Sequence, residues 1–339
     1  MRLPPILVTG AAGFIGFSLA HRLLGSGRPV VGVDNLNSYY DTALKEARLA
    51  ILRRFENFSF HCLDLADRTL TTRLFADCEF GPVVHLAAQA GVRHSIEQPH
   101  TYIDANLLAF LNVLEGCRAR RTGHLIYASS SSVYGANTKL PYSVRDNVDH
   151  PVSLYAATKK ANELMAHVYS HLFELPTTGL RFFTVYGPWG RPDMAYYLFA
   201  KAIVEGRPIR LFNQGRMRRD FTYIDDVVEA VERLIAMPPR RTDRRVDEAL
   251  SPARSDAPWR IYNLGNCRSI EVSYMVTLLE REFGREAKKQ LVPMQPGDVV
   301  ETCADVSDLM SAVGFCPATS IEDGIRRFAI WFRDFHNLQ

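Results

Sequence analysis

Short unbroken apolar blocks punctuate the first half of the chain, and stretches with an apolar stripe at helical spacing lie between them. The blocks fall at 4–9 (PPILVT), 30–34 (VVGVD), 58–63, 82–87, 124–128 and 177–183. Each has the length of a strand buried on both faces. Between the first two, residues 14–24 place Phe14, Ile15, Leu19, Leu23 and Leu24 on one helical face. Further helices are predicted near 39–54, 68–76, 99–118 and 155–172. Buried strands alternating with helices predict an α/β fold, a doubly wound parallel (Rossmann) sheet with helices on both faces. Ligands of such sheets lie beyond the carboxyl ends of the strands, so chemistry is expected just after each block.

The second half is less regular and richer in Gly, Pro and Arg. Short strands are predicted at 209–212, 221–223 and 261–264, and helices at 225–236, 272–283 and 321–335. Residues 237–257 are polar, Pro-containing and aperiodic, with acids interleaved among arginines. They are expected to form a solvated surface loop rather than a basic binding arm. The chain therefore divides into a dinucleotide-binding Rossmann domain, 1–187, with returning segments near 221–236 and 260–266, and a smaller α/β C-terminal substrate domain. The latter takes 188–220 and 267–339, and 237–259 is the surface loop.

The first candidate site is the turn after the first block. Gly10, Gly13 and Gly16 join strand to helix as G-x-x-G-x-x-G, a variant of the usual dinucleotide fingerprint. A glycine turn running into a helix offers backbone N–H groups and the positive end of the helix dipole to a pyrophosphate. The second strand ends in Asp34, an acid placed to accept bonds from both ribose hydroxyls and to repel a 2′-phosphate, which favours NAD over NADP. Asp64-Leu65 and Leu86-Ala87-Ala88-Gln89 also follow strand ends and are candidates to line the adenosine and the nicotinamide phosphate.

Tyr155 and Lys159 form Tyr-x-x-x-Lys, which puts phenol and ammonium on one helix face. The cation, with the positive nicotinamide of an oxidised cofactor, favours the phenolate and suits Tyr155 to act as general base. Tyr197 and Lys201 repeat the spacing, and there an ordinary helix surface is expected. Context separates the two pairs. The run 128–135 (ASSSSVYG) follows a strand directly, so its hydroxyls either meet a sugar oxygen or form a Ser-rich turn. Asn106, inside a predicted helix, is either a polar orienting residue or a surface amide.

Composition narrows the setting. At 339 residues, 47% apolar and 23% charged, the chain is an ordinary globular protein, and a net charge of +3 argues against a nucleic-acid partner. Six cysteines without C-x-x-C spacing suggest buried thiols in a reducing cytoplasm, with no metal site. No apolar run has the length of a membrane span, and Met1 is followed almost at once by a strand, so no signal peptide is expected.

The chain resembles the extended short-chain dehydrogenase/reductases, most closely the UDP-glucuronate 4-epimerases among them. The resemblance covers nearly all of it: VTGAAGFIG, DNLN, HLAAQAGVR, SSSSVYG, SLYAATKKANE, LRFFTVYGPWGRPDM, RRDFTYIDD and PMQPGD. It implies resident NAD, a UDP-sugar substrate and a homodimer built on helices near 100–118 and 156–172. It assigns a catalytic set of Ser130, Tyr155 and Lys159, with Ser132 as a second hydroxyl near the sugar. It extends the cofactor set to Phe14, Ile15, Asn35, Asn37, Asn106 and Phe183. It places Thr184 and Arg191 near a sugar carboxylate, with Arg93 a further candidate, and Phe212, Arg219 and Asp298 on the uridine diphosphate. Ser131 and Ser132 stand where dehydratases and decarboxylating relatives carry acids, so epimerisation is expected. UDP-glucose/UDP-galactose epimerisation and a nucleotide-sugar oxidoreductase are the alternatives. Gln295 departs from the Arg that many relatives place on the diphosphate, and Trp189-Gly190 replaces a more polar pair.

Overall fold

The computed structural model describes residues 3–242, 251–294 and 298–338. Gln295 and residues 243–250 of the expected loop lie outside them.

The described residues form two compact units. The first comprises 1–138, 143–182 and 228–263. Its sheet runs in the order β10-β6-β5-β4-β1-β2-β3. Those strands are β1 Ile6–Thr9, β2 Val30–Asp34, β3 Phe58–Cys62, β4 Val83–His85, β5 Leu125–Ser130, β6 Thr177–Phe182 and β10 Trp259–Leu264. The pairings from β3 across to β6 are parallel, with registers such as Ile6↔Val30, Leu7↔Val83 and Leu125↔Thr177. Ile6, Leu7, Val8, Val83, Val84, Leu125 and Ile126 are fully buried, which explains why these strands read as continuous apolar blocks rather than alternating ones. Each such side chain contributes roughly 1.5–3 kcal/mol relative to exposure. The chain order reverses between β1 and β4, a switch point where a doubly wound sheet opens a crevice.

Helix ends follow local chemistry. Asp41 caps Thr42–Leu52, Asp67 caps Arg68–Asp77 and Ser153 caps Leu154–Phe173 through side-chain oxygens. The first helix, Phe14–Gly25, starts on Gly13 with no side-chain cap.

Three expectations are corrected. The helix expected at 99–118 is broken into Pro99–Tyr102, a π-helical turn Ile103–Leu108, and Ala109–Arg120. The Asn106 carbonyl inside that turn accepts a bond from Asn162 Nδ2 at 2.7 Å, a tertiary partner that no local pattern reveals. The block at 177–183 is β6 with Phe183, and β7 (Thr184–Tyr186) follows it and pairs in another sheet. The far end of the expected surface loop enters the core: Ala253 and Ala257 are buried, and Ser255 Oγ meets His167 Nε2 at 2.9 Å. Of the six thiols, only Cys117 is buried; Cys62, Cys267 and Cys316 are exposed, and all six are free.

The second unit comprises 139–142, 183–227 and 264–339. It holds a three-stranded sheet, β11-β9-β7, and a two-stranded sheet, β12-β8. Here β8 is Pro208–Leu211, β9 Arg218–Tyr223, β11 Ser269–Glu271 and β12 Lys288–Leu291. Helices Val272–Phe283 and Ile321–Phe335 begin and end where their apolar spacing predicts. Tyr197 corrects the surface expectation for the second Tyr-x-x-x-Lys. Its ring is buried against Phe328 and Phe332, and its hydroxyl meets His336 Nε2 at 2.8 Å.

Candidate active site

In the first unit the glycine turn is tight for steric reasons. A Cβ on Gly16 would sit 2.0 Å from the Gly10 carbonyl oxygen, and one on Gly10 would sit 2.8 Å from the Ala87 nitrogen. Gly10 also takes φ +71°, open to glycine at little cost. The first turn of the following helix, with Phe14 and Ile15, therefore presents its N–H groups without a side chain over them. That arrangement fits a pyrophosphate.

Asp34 ends β2, nearly buried, and accepts bonds from the Ala12 and Leu36 amides at 3.2 and 2.9 Å. Lys45 Nζ lies 3.7 Å from its Oδ1 and donates to Asn37 Oδ1 at 2.9 Å. Arg48, fully buried, donates to the Ala12 carbonyl and to the Tyr40 hydroxyl. Sequence reading missed Lys45 and Arg48. The available signal was two cations on the buried face of helix Thr42–Leu52, beside Leu44, Leu49 and Leu52. Asn35 Nδ2 donates to Asp64 Oδ2 at 3.1 Å, which joins the ends of β2 and β3. Leu65 is buried, and its carbonyl accepts from Thr71 and Asn112.

The loop after β4 is anchored from two sides. Thr9 Oγ1 accepts from the Leu86 and Ala87 amides and pairs with His85 Nδ1 at 2.9 Å. Burial holds His85 neutral, its pKa pushed down to about 3, with Lys159 as a lesser cause. Asn106 is no surface amide. It accepts from the Gln89 amide at 2.8 Å, donates to the Gln89 carbonyl at 3.0 Å and reaches Thr158 Oγ1 at 3.1 Å. One buried side chain thus ties the 86–89 loop, including half-buried Ala88, to the Tyr155 helix.

Ser130 ends β5 and caps the 3₁₀ turn Ser131–Tyr134. Its Oγ lies 3.0 Å from Ser132 Oγ and accepts the Ser132 amide at 3.1 Å. Tyr155 is half-buried, its ring edge-on to Tyr102 at 6.1 Å, and its carbonyl accepts from Thr158. One turn on, Lys159 is buried and donates to the Ala128 carbonyl at 3.0 Å, at the root of the serine run. Burial lowers its pKa to about 7.

Beneath the serine turn lies an ion pair that sequence reading also missed. Arg181 holds Glu163 through Nε–Oε1 at 2.8 Å and Nη2–Oε2 at 2.9 Å, and Ser129 Oγ donates to Oε1 at 2.6 Å. Arg181 Nη1 reaches the Tyr134 hydroxyl, which donates to Asn263 Oδ1 at 2.7 Å. Glu163 is four residues beyond Lys159, so an acid on the face of the Tyr155–Lys159 pair was the signal. Its carboxylate is committed to this network.

The second unit carries the other candidates. Thr184 opens β7, half-buried, opposite Phe221; Phe183 precedes it, buried, its amide donating to the Leu264 carbonyl. Arg219 Nη1 donates to the Arg218 and Val300 carbonyls at 2.8 and 3.2 Å, and Nη2 lies 3.9 Å from Asp298 Oδ1. Next to it, Asp220 is buried and accepts the Asn266 and Ala304 amides at 2.6 and 2.9 Å, which holds three chain segments together. Phe212 lies under the Arg210 guanidinium at 5.5 Å. Arg191 is gripped side-on by Asp193 at 3.0 and 2.5 Å. Arg93, in the first unit, is exposed at the start of the short helix His94–Glu97.

Among the described residues there is no His/Cys/Asp/Glu group able to hold a metal ion, and no helix long and apolar enough to cross a membrane.

Comparison with known proteins agrees with this picture. The model of the NAD dependent epimerase/dehydratase family matches residues 6–246. A probable UDP-glucuronate 4-epimerase of Rhizobium meliloti (strain 1021) is 49% identical, covering 96% of each chain. Among solved structures, the Bacillus cereus UDP-glucuronic acid 4-epimerase in complex with UDP-glucuronic acid and NAD is similar at TM-score 0.84. It is 31% identical, with 98% of this chain and 99% of that one covered. A UDP-glucose 4-epimerase from Thermotoga maritima with UDP-glucose also reaches TM-score 0.84, at 28% identity and 98% and 99% coverage.

Proposed function

The chain belongs to the NAD dependent epimerase/dehydratase family, and from that premise we propose its reaction. It is an NAD-dependent 4-epimerase of a UDP-hexuronic acid, converting UDP-glucuronate to UDP-galacturonate through a 4-keto intermediate. The observation that carries this is near-half identity over almost the full length of a probable UDP-glucuronate 4-epimerase.

The residue roles are proposals built on the geometry above. Bound NAD supplies an acceptor that takes a hydride from C4 of the sugar and returns it to the other face. The uncapped helix start after Gly13 holds its pyrophosphate, and Asp34 accepts bonds from its ribose. Tyr155 takes the proton of the sugar 4-hydroxyl, and Lys159 favours the phenolate. Ser130 and Ser132 donate to the oxygen at C4 and steady the charge that develops there. Asn106 keeps the 86–89 loop in register with the Tyr155 helix. Thr184 and Arg191 meet the sugar carboxylate, whereas Phe212, Arg219 and Asp298 hold the uridine diphosphate. At the turn where an acid would act on C5 stand Ser131 and Ser132, and Glu163 beneath them is already bound by Arg181. That supports epimerisation over dehydration.

A homodimer is also proposed. Leu108, Leu111, Leu164, Val168 and Leu172 stay 38–62% exposed on two adjacent helical segments of the first unit, an apolar face suited to a second copy. Six free thiols support a reducing, cytoplasmic setting.

The decisive assay incubates purified protein with UDP-glucuronate and no added NAD, with products separated by chromatography. UDP-galacturonate is expected without net cofactor reduction. A requirement for stoichiometric NAD would identify an oxidoreductase. Turnover of UDP-glucose alone would identify the neutral-hexose epimerase, and no turnover with cofactor bound would identify a scaffold.

A further inference from the structure

The turn after Gly187 carries a carboxylate that the reaction above does not use. Asp193 follows Arg191 by two residues and clasps it: Arg191 Nε donates to Oδ1 at 3.0 Å and Nη2 to Oδ2 at 2.5 Å. The two side chains are only 24 and 27% exposed, so the pair is less screened than one on the open surface.

The backbone beneath the clasp is held at both ends. Gly187 takes φ +140° and Trp189 φ +62°. The Trp189 ring packs on Trp331 at 5.3 Å and on Phe335 at 5.4 Å. A Cβ on Gly190 would lie 1.7 Å from the Tyr196 hydroxyl. The Met194 amide closes the turn on the Arg191 carbonyl at 3.2 Å, and helix Ala195–Val204 starts directly after it. Pro192, between the partners, has its own φ locked by the ring. The constrained turn fixes the backbone from which both side chains start, so the clasp forms on a loop that is already held.

A guanidinium has five N–H donors in one plane. The side-on pair uses one on Nε and one on Nη2, and three others, two of them on Nη1, lie outside it. A carboxylate binds a guanidinium best in that plane through two parallel bonds. We propose that Asp193 is a positioning residue for uronate recognition: it holds Arg191 by the Nε edge and so aims the Nη1–Nη2 edge at the sugar carboxylate. This rests on the reading of Arg191 given above. Arg191 and Asp193 together carry no net charge, so discrimination between a carboxylate and a hydroxymethyl group at C5 depends on aimed donors rather than on an unopposed cation.

The test is calorimetric titration of the holoprotein with UDP-glucuronate, UDP-glucose and UDP, in wild type, Asp193→Asn, Asp193→Ala and Arg191→Ala. The readout is the ratio of the UDP-glucose to the UDP-glucuronate dissociation constant. UDP binding reports whether the rest of the site is intact, and the two Asp193 variants guard against a folding failure in either. Both are expected to lower the ratio about tenfold, the worth of one well-aimed charged pair. A ratio that stays put, or rises because Asp193 had been competing for Arg191, overturns the proposal. If Arg191→Ala collapses the ratio while the Asp193 variants keep it, the carboxylate reading stands and the positioning role falls. If Arg191→Ala leaves the ratio unchanged, the carboxylate reading itself fails and takes the proposal with it.

Discussion

Glu163→Gln tests the ion pair beneath the serine turn. Glu163 and Arg181 side chains are 2 and 0% exposed. The carboxylate accepts from three donors, Arg181 Nε and Nη2 and Ser129 Oγ. A glutamine keeps the shape but turns one acceptor oxygen into an N–H₂ facing a guanidinium. That removes the charge that offsets Arg181 and sets donor against donor. Arg181 cannot neutralise to escape, because a guanidinium is not deprotonated in proteins, so burial then acts on an uncompensated cation. Removing one partner of a buried pair costs roughly 3–5 kcal/mol. For a unit of about two hundred residues, each kcal/mol lowers Tm by about 2–4 °C, so a fall of about 10 °C is expected. Urea unfolding and thermal melts should be run at one saturating NAD concentration, since bound cofactor adds its own stabilisation. The double variant Glu163→Leu with Arg181→Met should recover most of the loss, because apolar replacement of both partners removes the uncompensated charge. A Glu163→Gln loss under about 1 kcal/mol, the scale of an exposed pair, would refute the reasoning.

Tyr155→Phe should abolish epimerisation while NAD still copurifies; activity within about tenfold of wild type would remove Tyr155 as the base. Lys159 has a folded pKa of about 7, below the 10.5 of the free group. The unfolded chain therefore holds the extra proton between those values, and wild-type stability should rise with pH across that window. Relative to Lys159→Met, that rise should total roughly 5 kcal/mol between pH 7 and 10.5 by urea unfolding, and parallel curves would contradict the burial. Gly16→Ala forces a methyl against the Gly10 carbonyl, so NAD retention should fall at least about tenfold with a stability loss of about 1–3 kcal/mol; fluorescence titration with NAD reads the first. Asn106→Ala strands both polar groups of the Gln89 backbone and should cost about 1–3 kcal/mol, measurable by faster hydrogen exchange at the Gln89 amide.

Local pattern made much of the molecule readable. Strand β2 and helices Val272–Phe283 and Ile321–Phe335 begin and end where hydrophobic spacing puts them, because their lengths are set by neighbours a turn or a residue away. The glycine turn was equally plain, since its constraint is steric and local. Readable too was the candidacy of Tyr155 and Lys159, four residues apart on one helix.

Partnerships between distant residues were not legible. Asn106 gave no sign that it joins Gln89 to Thr158, because a lone amide in a helical stretch has the same pattern whether it faces water or a loop. Glu163 has the pattern of any helix acid, although the parallel pairing of β5 with β6 sets Arg181 beside Ser129 and both donate to its carboxylate. The clasp of Arg191 by Asp193 is close in sequence, yet a turn held by a tryptophan at φ +62° against the last helix lies beyond any spacing rule. Sequence alone determined the alternation of strand and helix, the glycine turn and the candidacy of Tyr155 and Lys159, all of which follow from short-range sterics and periodicity. Tertiary structure alone decided which buried charges are paired and where each donor points, since those depend on desolvation and on chain segments brought together only by folding.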